Sequence, residues 1–252
     1  MIHPDAQSFN LAAAAYERGR PDYPADAVNT IVQALGIGAE STVVDLAAGT
    51  GKFTRLLVPT GAHIIAVEPV RGMRTTLSEL VPGIEIWEGT AESIPLPDAS
   101  VDAVTVAQAF HWFQPEEATA EIHRVLRPGG GLALIWNRRD LKQPLQQAIH
   151  DIITPYRGTA STRDSHHWKE GFDRTTLFTP LQKQRFPHSQ NTDTAGLIDR
   201  VLSFSYMATL PQSEKDAVSK RLRALTSTLS ERFDLMYMTV VFCCHSREVA
   251  SS

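Results

Sequence analysis

From Ser41 to Asn137 the chain alternates short apolar runs with stretches whose apolar positions recur at helical spacing. "STVVDLA", "AHIIAVE", "GIEIWEG", "VDAVTVAQA" and "GLALIWN" read as strands, being brief, apolar and rich in β-branched residues. "GKFTRLLV", "VRGMRTTLSEL" and "PEEATAEIHRVL" between them read as helices, the last with Pro115 suited to its first turn. "RPGG" turns the chain into the fifth strand. Strands and helices alternating at this interval predict βαβ units and a parallel sheet. The strands are nearly continuous in apolar character, as a sheet covered on both faces requires.

Beyond Asn137 the texture changes. "LKQPLQQAIHDIITPY" reads as helix, and the polar "RGTASTRDSHHWKEG" as an exposed loop. "SEKDAVSKRLRALTSTLSERF" is an amphipathic helix with Val218, Leu222, Leu225 and Leu229 on one stripe and Ser213 as its cap. "LMYMTVVFCCHS" is a last strand that completes the sheet. Residues from about Asp140 to Phe186 then hold an insertion over the strand ends, where α/β sheets bind ligands.

Composition narrows the function classes. The 252 residues suit one α/β domain, and a 42% hydrophobic fraction suffices for a core. A formal net charge of -4 gives no global attraction to nucleic acid or anionic membrane. The first residues lack a basic region followed by an apolar run, and no segment approaches ~20 uninterrupted apolar residues. A cytoplasmic chain is therefore expected. The two cysteines, Cys243 and Cys244, are adjacent on the last strand, so they point to opposite faces and form no mutual disulfide.

The informative turn is "VVDLAAGTGKFT", Val43 to Thr54. A P-loop needs a glycine where Leu46 stands and a hydroxyl where Phe53 stands, so a phosphate cradle fails twice. A dinucleotide fingerprint comes closer, with Gly49, Gly51 and the strand-end acid Glu68, but Asp45 would repel a pyrophosphate. S-adenosylmethionine carries a sulfonium and an ammonium and no phosphate, so Asp45 becomes an asset. The small residues Ala47, Ala48, Gly49 and Gly51 allow close backbone approach, and Glu68 can accept ribose hydroxyls. Lys52 reads as an early residue of the next helix.

On these residues the chain resembles class I S-adenosylmethionine-dependent methyltransferases, in the type 11 group that includes trans-aconitate and small-molecule carboxyl methyltransferases. "FNLAAAAYERGRPDYP" is similar to the N-terminal lid of that group, "VVDLAAGTGKFT" to its first motif and "VEPVRGMR" to its acidic second one. "GTAESIPLPDASVDAVTVAQAFHWF" is similar to the adenine loop and fourth strand, "RVLRPGGGLALIWN" to the fifth strand, and "SFSYMATLP" with "YMTVVFCCHS" to the C-terminal region. Ala47 departs from the pattern by replacing the usual first glycine.

The resemblance implies a single Rossmann-like domain, α/β, with a seven-stranded, mostly parallel sheet, an antiparallel last strand and helices on both faces. Its parts would be a lid over 1–30, a cofactor-binding core over 40–137, a substrate-side insertion over 138–186, and C-terminal helices with the last strand over 187–252. It implies S-adenosyl-L-methionine as cofactor, held by Asp45, Ala47, Gly49 and Gly51 at the methionine end and Glu68 at the ribose. Pro69, Met73, Ala91 and Glu92 would flank the adenine, Gln108 the sulfonium, and Tyr16 and Tyr23 would close over the ligand.

Methyl transfer from a sulfonium is an in-line displacement that needs alignment and exclusion of water. A carboxylate acceptor needs no base; for a phenol, enol or amine, His111 is the candidate. Arg18, Arg20, Arg138 and Arg139 can pair with an acidic substrate, and Trp112 stands beside His111. The expected partner is a small-molecule acceptor methylated at oxygen, without nucleic acid, membrane or metal, the chain being a monomer or homodimer. "HHW" at 166–168 has no companion ligands at fixed spacing and reads as loop with a packing tryptophan. Two other readings remain open: a non-methylating cyclisation or rearrangement on the same fold, and binding without turnover.

Overall fold

The structure is a computed structural model that describes residues 17–157 and 167–248. Seven strands form one sheet in the order β3-β2-β1-β4-β5-β7-β6. They are β1 (Thr42–Leu46), β2 (His63–Val67), β3 (Glu85–Trp87), β4 (Val101–Ala107), β5 (Leu126–Arg139), β6 (Gln182–Thr192) and β7 (Phe233–His245). β7 runs antiparallel to both β5 and β6, and the other pairings are parallel.

Period-two alternation sorts the strand side chains into two cores. On one face Val44, Leu46, Ile65, Val67, Val104, Leu132 and Leu134 meet Ala118, Ile122 and Val125 of α4 (Pro115–Val125), with Trp168 and Phe172 of α6 (His167–Asp173). On the other, Val43, Ile64, Ala103, Ala133 and Ile135 meet Ala27 and Ile31 of α1 (Ala25–Ala34), with Phe53 and with Leu57 of α2 (Thr54–Leu57). Full burial of one such aliphatic side chain stabilises by about 1.5–3 kcal/mol. Cys243 and Cys244 fall in opposite cores, and both are free thiols.

α3 (Arg71–Leu80) follows β2 and packs Leu77 under the turn after β1. A third cluster joins α5 (Pro144–Ile153), α7 (Thr194–Leu202), α8 (Ser205–Ala208) and α9 (Gln212–Thr226) through Ile149, Val201, Met207 and Leu222. Leu235 and Tyr237 of β7 anchor it to the sheet.

Five elements differ from the sequence reading. β5 already begins at Leu126, so "RPGG" lies inside that strand rather than turning the chain into it. β6 had no counterpart in the hydrophobic pattern, because its residues are mostly exposed or half-buried and include Pro187. It straddles the expected boundary between insertion and C-terminal part at 186. Within the expected loop "RGTASTRDSHHWKEG", residues 158–166 lie outside the description, while the part from His167 forms α6 with Trp168 buried. α9 starts at Gln212 after Pro211 without a side-chain cap from Ser213. It ends at Thr226, leaving Leu229 39% exposed instead of extending the stripe. The expected lid boundary at residue 30 falls inside α1, whose Ala27, Val28 and Ile31 belong to the core.

Candidate active site

β1 and β4 are neighbours, while β2 continues the sheet on the other side of β1. Chain crossovers leave in opposite directions there, which opens a crevice at the carboxyl ends of the strands. The turn from Ala47 to Gly51 fills it. Ala47, Gly49 and Gly51 all take left-handed backbone angles, with φ of 56°, 60° and 85°. Glycine adopts these freely, while at Ala47 the Cβ imposes a cost of roughly 1–2 kcal/mol.

The two glycines have different reasons to lack a side chain. A Cβ on Gly51 would sit 2.3 Å from Leu77 Cδ1 and 2.8 Å from Val81 Cγ2. A Cβ on Gly49 would meet nothing within 4 Å. Gly51 is packed against the protein, whereas Gly49 faces space left open by the described residues.

Asp45 stands behind this turn and is fully buried. Its Oδ2 accepts from Thr54 Oγ1 at 2.6 Å and its Oδ1 from Thr105 Oγ1 at 3.1 Å. Burial raises its pKa to about 6, against the two hydroxyl donors. Its negative charge thus acts on the crevice through the turn. Glu68, just after β2, is 5% exposed. Its Oε2 accepts from the Gly49 N–H at 2.9 Å and its Oε1 from the Val70 N–H at 2.8 Å. Burial raises its pKa to about 7; these N–H bonds and Arg74 oppose the rise, and Asp45 adds to it.

Gln108 ends the β4 side with φ of 61°, its N–H donated to the Ile135 carbonyl at 2.9 Å. Its Oε1 is buried without a hydrogen-bond partner among the described residues. Arg20, Pro21, Tyr23, Lys52, Asn137 and Arg200 line the pocket that Gln108 enters. Tyr23 packs edge-on against Phe53 at 5.2 Å, and Asn137 Nδ2 donates to the Asp22 carbonyl at 2.9 Å.

A methyltransferase-domain profile matches residues 44–134, the span from β1 to β5. An uncharacterized methyltransferase of Mycobacterium tuberculosis (strain ATCC 25618 / H37Rv) is 41% identical over 224 residues, 88% of this chain and 86% of its own. The chain belongs to the class I S-adenosylmethionine-dependent methyltransferases. An uncharacterized methyltransferase-like protein of Schizosaccharomyces pombe is 36% identical over 94% of this chain and 95% of its own. The fold matches a putative type II methyltransferase from Anaeromyxobacter dehalogenans at TM-score 0.64 and 18% identity, covering 91% of this chain and 97% of that one.

The crevice of this methyltransferase fits S-adenosylmethionine on its own chemistry. Open space beside Gly49 admits a ligand against the backbone, Gln108 Oε1 offers an unused acceptor, and two buried carboxylates supply negative potential. Of the other residues expected at the cofactor, Met73 and Ala91 are buried and Pro69 is half-buried. Glu92 Oε1 accepts the Gln114 N–H at 3.1 Å, at the start of α4, where a carboxylate favours the helix dipole. Tyr16 lies outside the described residues.

The expected substrate residues separate. His111 is buried, with Trp136 Nε1 3.4 Å from its Nδ1 and the Trp112 ring at 4.6 Å. Arg20 is buried and donates to Ser203 Oγ at 3.1 Å and the Ser203 carbonyl at 2.9 Å. Arg18 pairs with Asp199 at 2.8 Å with its own side chain 63% exposed. Arg138 does not line the pocket that holds Arg20, Gln108 and Arg200.

Two residues gain a place that sequence reasoning did not give them. Lys52 is not a plain helix residue: its Nζ lies 3.1 Å from Asp22 and 3.5 Å from Glu17, bridging the N-terminal segment to the glycine turn. Arg200 is 3% exposed and lines the pocket from α7. Its signal was present in "TAGLIDRVL", where an arginine stands three residues after Leu197 and one before Val201, on the buried stripe.

Proposed function

We propose that this methyltransferase transfers the methyl group to an oxygen of a small-molecule acceptor, a carboxylate or hydroxyl, held in the pocket between Gln108 and Arg200. The observation that supports a small acceptor is the pocket's small size, about 260 Å³. Arg20, Pro21 and Tyr23 of the N-terminal segment and Arg200 of α7 wall it in, and a polymer would need a broader surface. S-adenosylmethionine supplies an electrophilic methyl on a sulfonium when bound.

The residues divide the remaining work. Asp45 and Glu68 provide negative potential for a cationic cofactor, and Glu68 offers its carboxylate to ribose hydroxyls. Ala47, Gly49 and Gly51 shape the turn, Pro69, Met73, Ala91 and Glu92 border the adenine side, and Gln108 orients the transfer region. Tyr23 helps exclude water. The arrangement at His111 favours a carboxylate over a hydroxyl. Its Nδ1 already faces the indole N–H of Trp136, and a carboxylate needs no base. Among the described residues no helix is long and apolar enough to cross a membrane. Action on small metabolites in the cytoplasm belongs to this proposal.

The test is incubation of the protein with S-adenosylmethionine and a pool of small metabolites, followed by mass spectrometry. Expected is a product with one added methyl mass together with S-adenosylhomocysteine. Methylation confined to protein or nucleic acid would overturn the small-molecule reading, and a product without added methyl mass would favour cyclisation or rearrangement.

A further inference from the structure

Three guanidinium groups surround the ring of Phe204. The Arg200 carbon lies 4.6 Å from the ring centroid, that of Arg20 5.2 Å and that of Arg139 5.8 Å. They come from three distant parts of the chain: the N-terminal segment, the end of β5 and α7. Arg20 is satisfied in part by Ser203. Arg200 donates its Nε to Tyr237 Oη at 3.3 Å, and Arg139 places Nη2 3.2 Å from His150 Nδ1. Both Arg139 and Arg200 keep an Nη1 that is buried without a hydrogen-bond partner among the described residues.

A buried guanidinium is normally matched by a carboxylate, because loss of water must be offset by an opposite charge. No carboxylate among the described residues forms an ion pair with Arg139 or Arg200. Burial lowers the pKa of Arg139; Tyr206 and Tyr237 oppose that lowering, and the neighbouring cations Arg200 and Arg157 add to it. An aromatic face recovers part of the lost solvation and leaves the N–H edges free to take a second partner.

We propose that Arg139 and Arg200 form the recognition site for an oxyanion, a carboxylate or phosphate group, carried by the methyl acceptor. The site rests on the small-molecule reading above and gives its substrate class. Arg200 lines the same pocket as Gln108, whose buried Oε1 is also unpartnered. Arg139 does not line that pocket itself and joins Arg200 across the shared ring of Phe204, so an acceptor anchored first at Arg200 would extend from α7 toward the ends of β4 and β5. The paired N–H edges of a guanidinium match the two oxygens of a carboxylate or phosphate.

The anion has two potential sources, the acceptor or the α-carboxylate of the cofactor itself, and calorimetry separates them. Citrate and, separately, inorganic phosphate are titrated at low ionic strength into protein saturated with S-adenosylhomocysteine. S-adenosylhomocysteine is then titrated alone into wild type, Arg200→Gln and Arg139→Gln. Expected is saturable binding of at least one anion probe, weakened about tenfold or more in each variant, with S-adenosylhomocysteine affinity held within about twofold. A loss of about tenfold in S-adenosylhomocysteine affinity would make the cofactor carboxylate the anion and overturn the proposal. Absence of binding by both probes, or binding unaffected by both substitutions, would overturn it as well. Arg200→Lys, which keeps the charge and much of the stem, controls for misfolding of Arg200→Gln and is expected to retain intermediate anion affinity. None of these readings requires turnover. Methylation of neutral small molecules alone would leave the small-molecule function standing and remove only the anion site.

Discussion

Glu68 is bonded to the glycine turn itself: its Oε2 accepts the Gly49 N–H at 2.9 Å while its Oε1 accepts the Val70 N–H at 2.8 Å. The acid at the end of β2 therefore fixes the loop after β1 and the entry to α3 together. The same bonds that organise the turn hold the carboxylate that the proposed function assigns to the ribose hydroxyls. Because it is buried beside a second buried acid, Asp45, its ionisation is coupled to whatever occupies the crevice.

That coupling gives a pH dependence with a definite sign. The pKa of Glu68 rises from 4.5 to about 7 on folding, and that of Asp45 from 3.8 to about 6. The folded state therefore binds more protons than the unfolded state between these limits. Their stabilising contribution is full below about pH 4 and is lost as pH rises through about 6 and 7, on the order of 3 kcal/mol per carboxylate. Without cofactor, the Tm of wild type should fall from about pH 5 to about pH 8 relative to Asp45→Asn, which no longer titrates at that position. Parallel melting curves for the two proteins would refute the assignment. A bound cation favours the ionised acids, so cofactor binding near neutral pH should release protons, measurable as a buffer-dependent calorimetric heat.

Gly49 and Gly51 should respond differently to the same substitution. In Gly51→Ala the new methyl runs into Leu77 and Val81, at a left-handed φ of 85°. The expected loss of stability is about 2–5 kcal/mol, the sum of backbone strain and overpacking. Gly49→Ala meets no atom of the described residues within 4 Å and carries the strain of its φ of 60°, about 1–2 kcal/mol. Its methyl instead occupies ligand space, so cofactor affinity should fall about tenfold or more while the protein still folds. Chemical denaturation and cofactor titration on both variants check the contrast, which fails if Gly49→Ala binds cofactor as wild type does.

The role of His111 can be read from the size of a rate effect. With Trp136 Nε1 3.4 Å from Nδ1, the ring sits in a buried aromatic corner rather than facing solvent. For a carboxylate acceptor, His111→Asn should lower kcat by less than about tenfold, through altered packing beside Trp112 and Trp136. A loss of about 10²–10⁴, with the acidic limb of the pH–rate profile removed, would show that the imidazole acts as a general base on a hydroxyl acceptor.

The cofactor half of this fold was legible because its signals are local. Strands β1, β2, β4 and β5 are buried on both faces, so Val43–Val44 or Leu132–Trp136 appear as unbroken apolar runs. The chemistry of Asp45, the two glycines and Glu68 likewise fits within one βαβ unit. β6 gave no such signal, since its edge position leaves Gln182 to Arg185 exposed and its hydrogen bonds come from β7, far along the chain. Arg200 and Tyr237 meet across 37 residues, and Arg20 reaches Ser203 across 183, so the guanidinium cluster exists only after folding. Ala47 lies between these cases. Its departure from glycine was visible, and the structure adds that the position keeps the left-handed φ a glycine would take.

Closure of the N-terminal segment should depend on Glu17 and Lys52. Glu17 receives hydrogen bonds from Thr50 Oγ1 at 2.8 Å and from the Arg55 guanidinium, and Lys52 Nζ lies between Glu17 and Asp22. The Lys52 and Glu17 side chains are only 12% and 20% exposed, so this network is less screened than an ordinary surface pair. It joins the segment carrying Arg20 and Tyr23 to the glycine turn after β1. Glu17→Gln removes the shared anion and leaves Lys52 and Arg55 facing a neutral amide. Expected is cofactor dissociation faster by about 3–10-fold in stopped flow, equivalent to about 1 kcal/mol of lost closure, with little change in the association rate. Limited proteolysis should cut the segment before Pro24 sooner than in wild type, and added salt should move the wild type toward the variant's dissociation rate. An unchanged dissociation rate combined with an unchanged cleavage pattern would show that the aromatic packing of Tyr23 on Phe53, 5.2 Å apart, holds the segment without the charges.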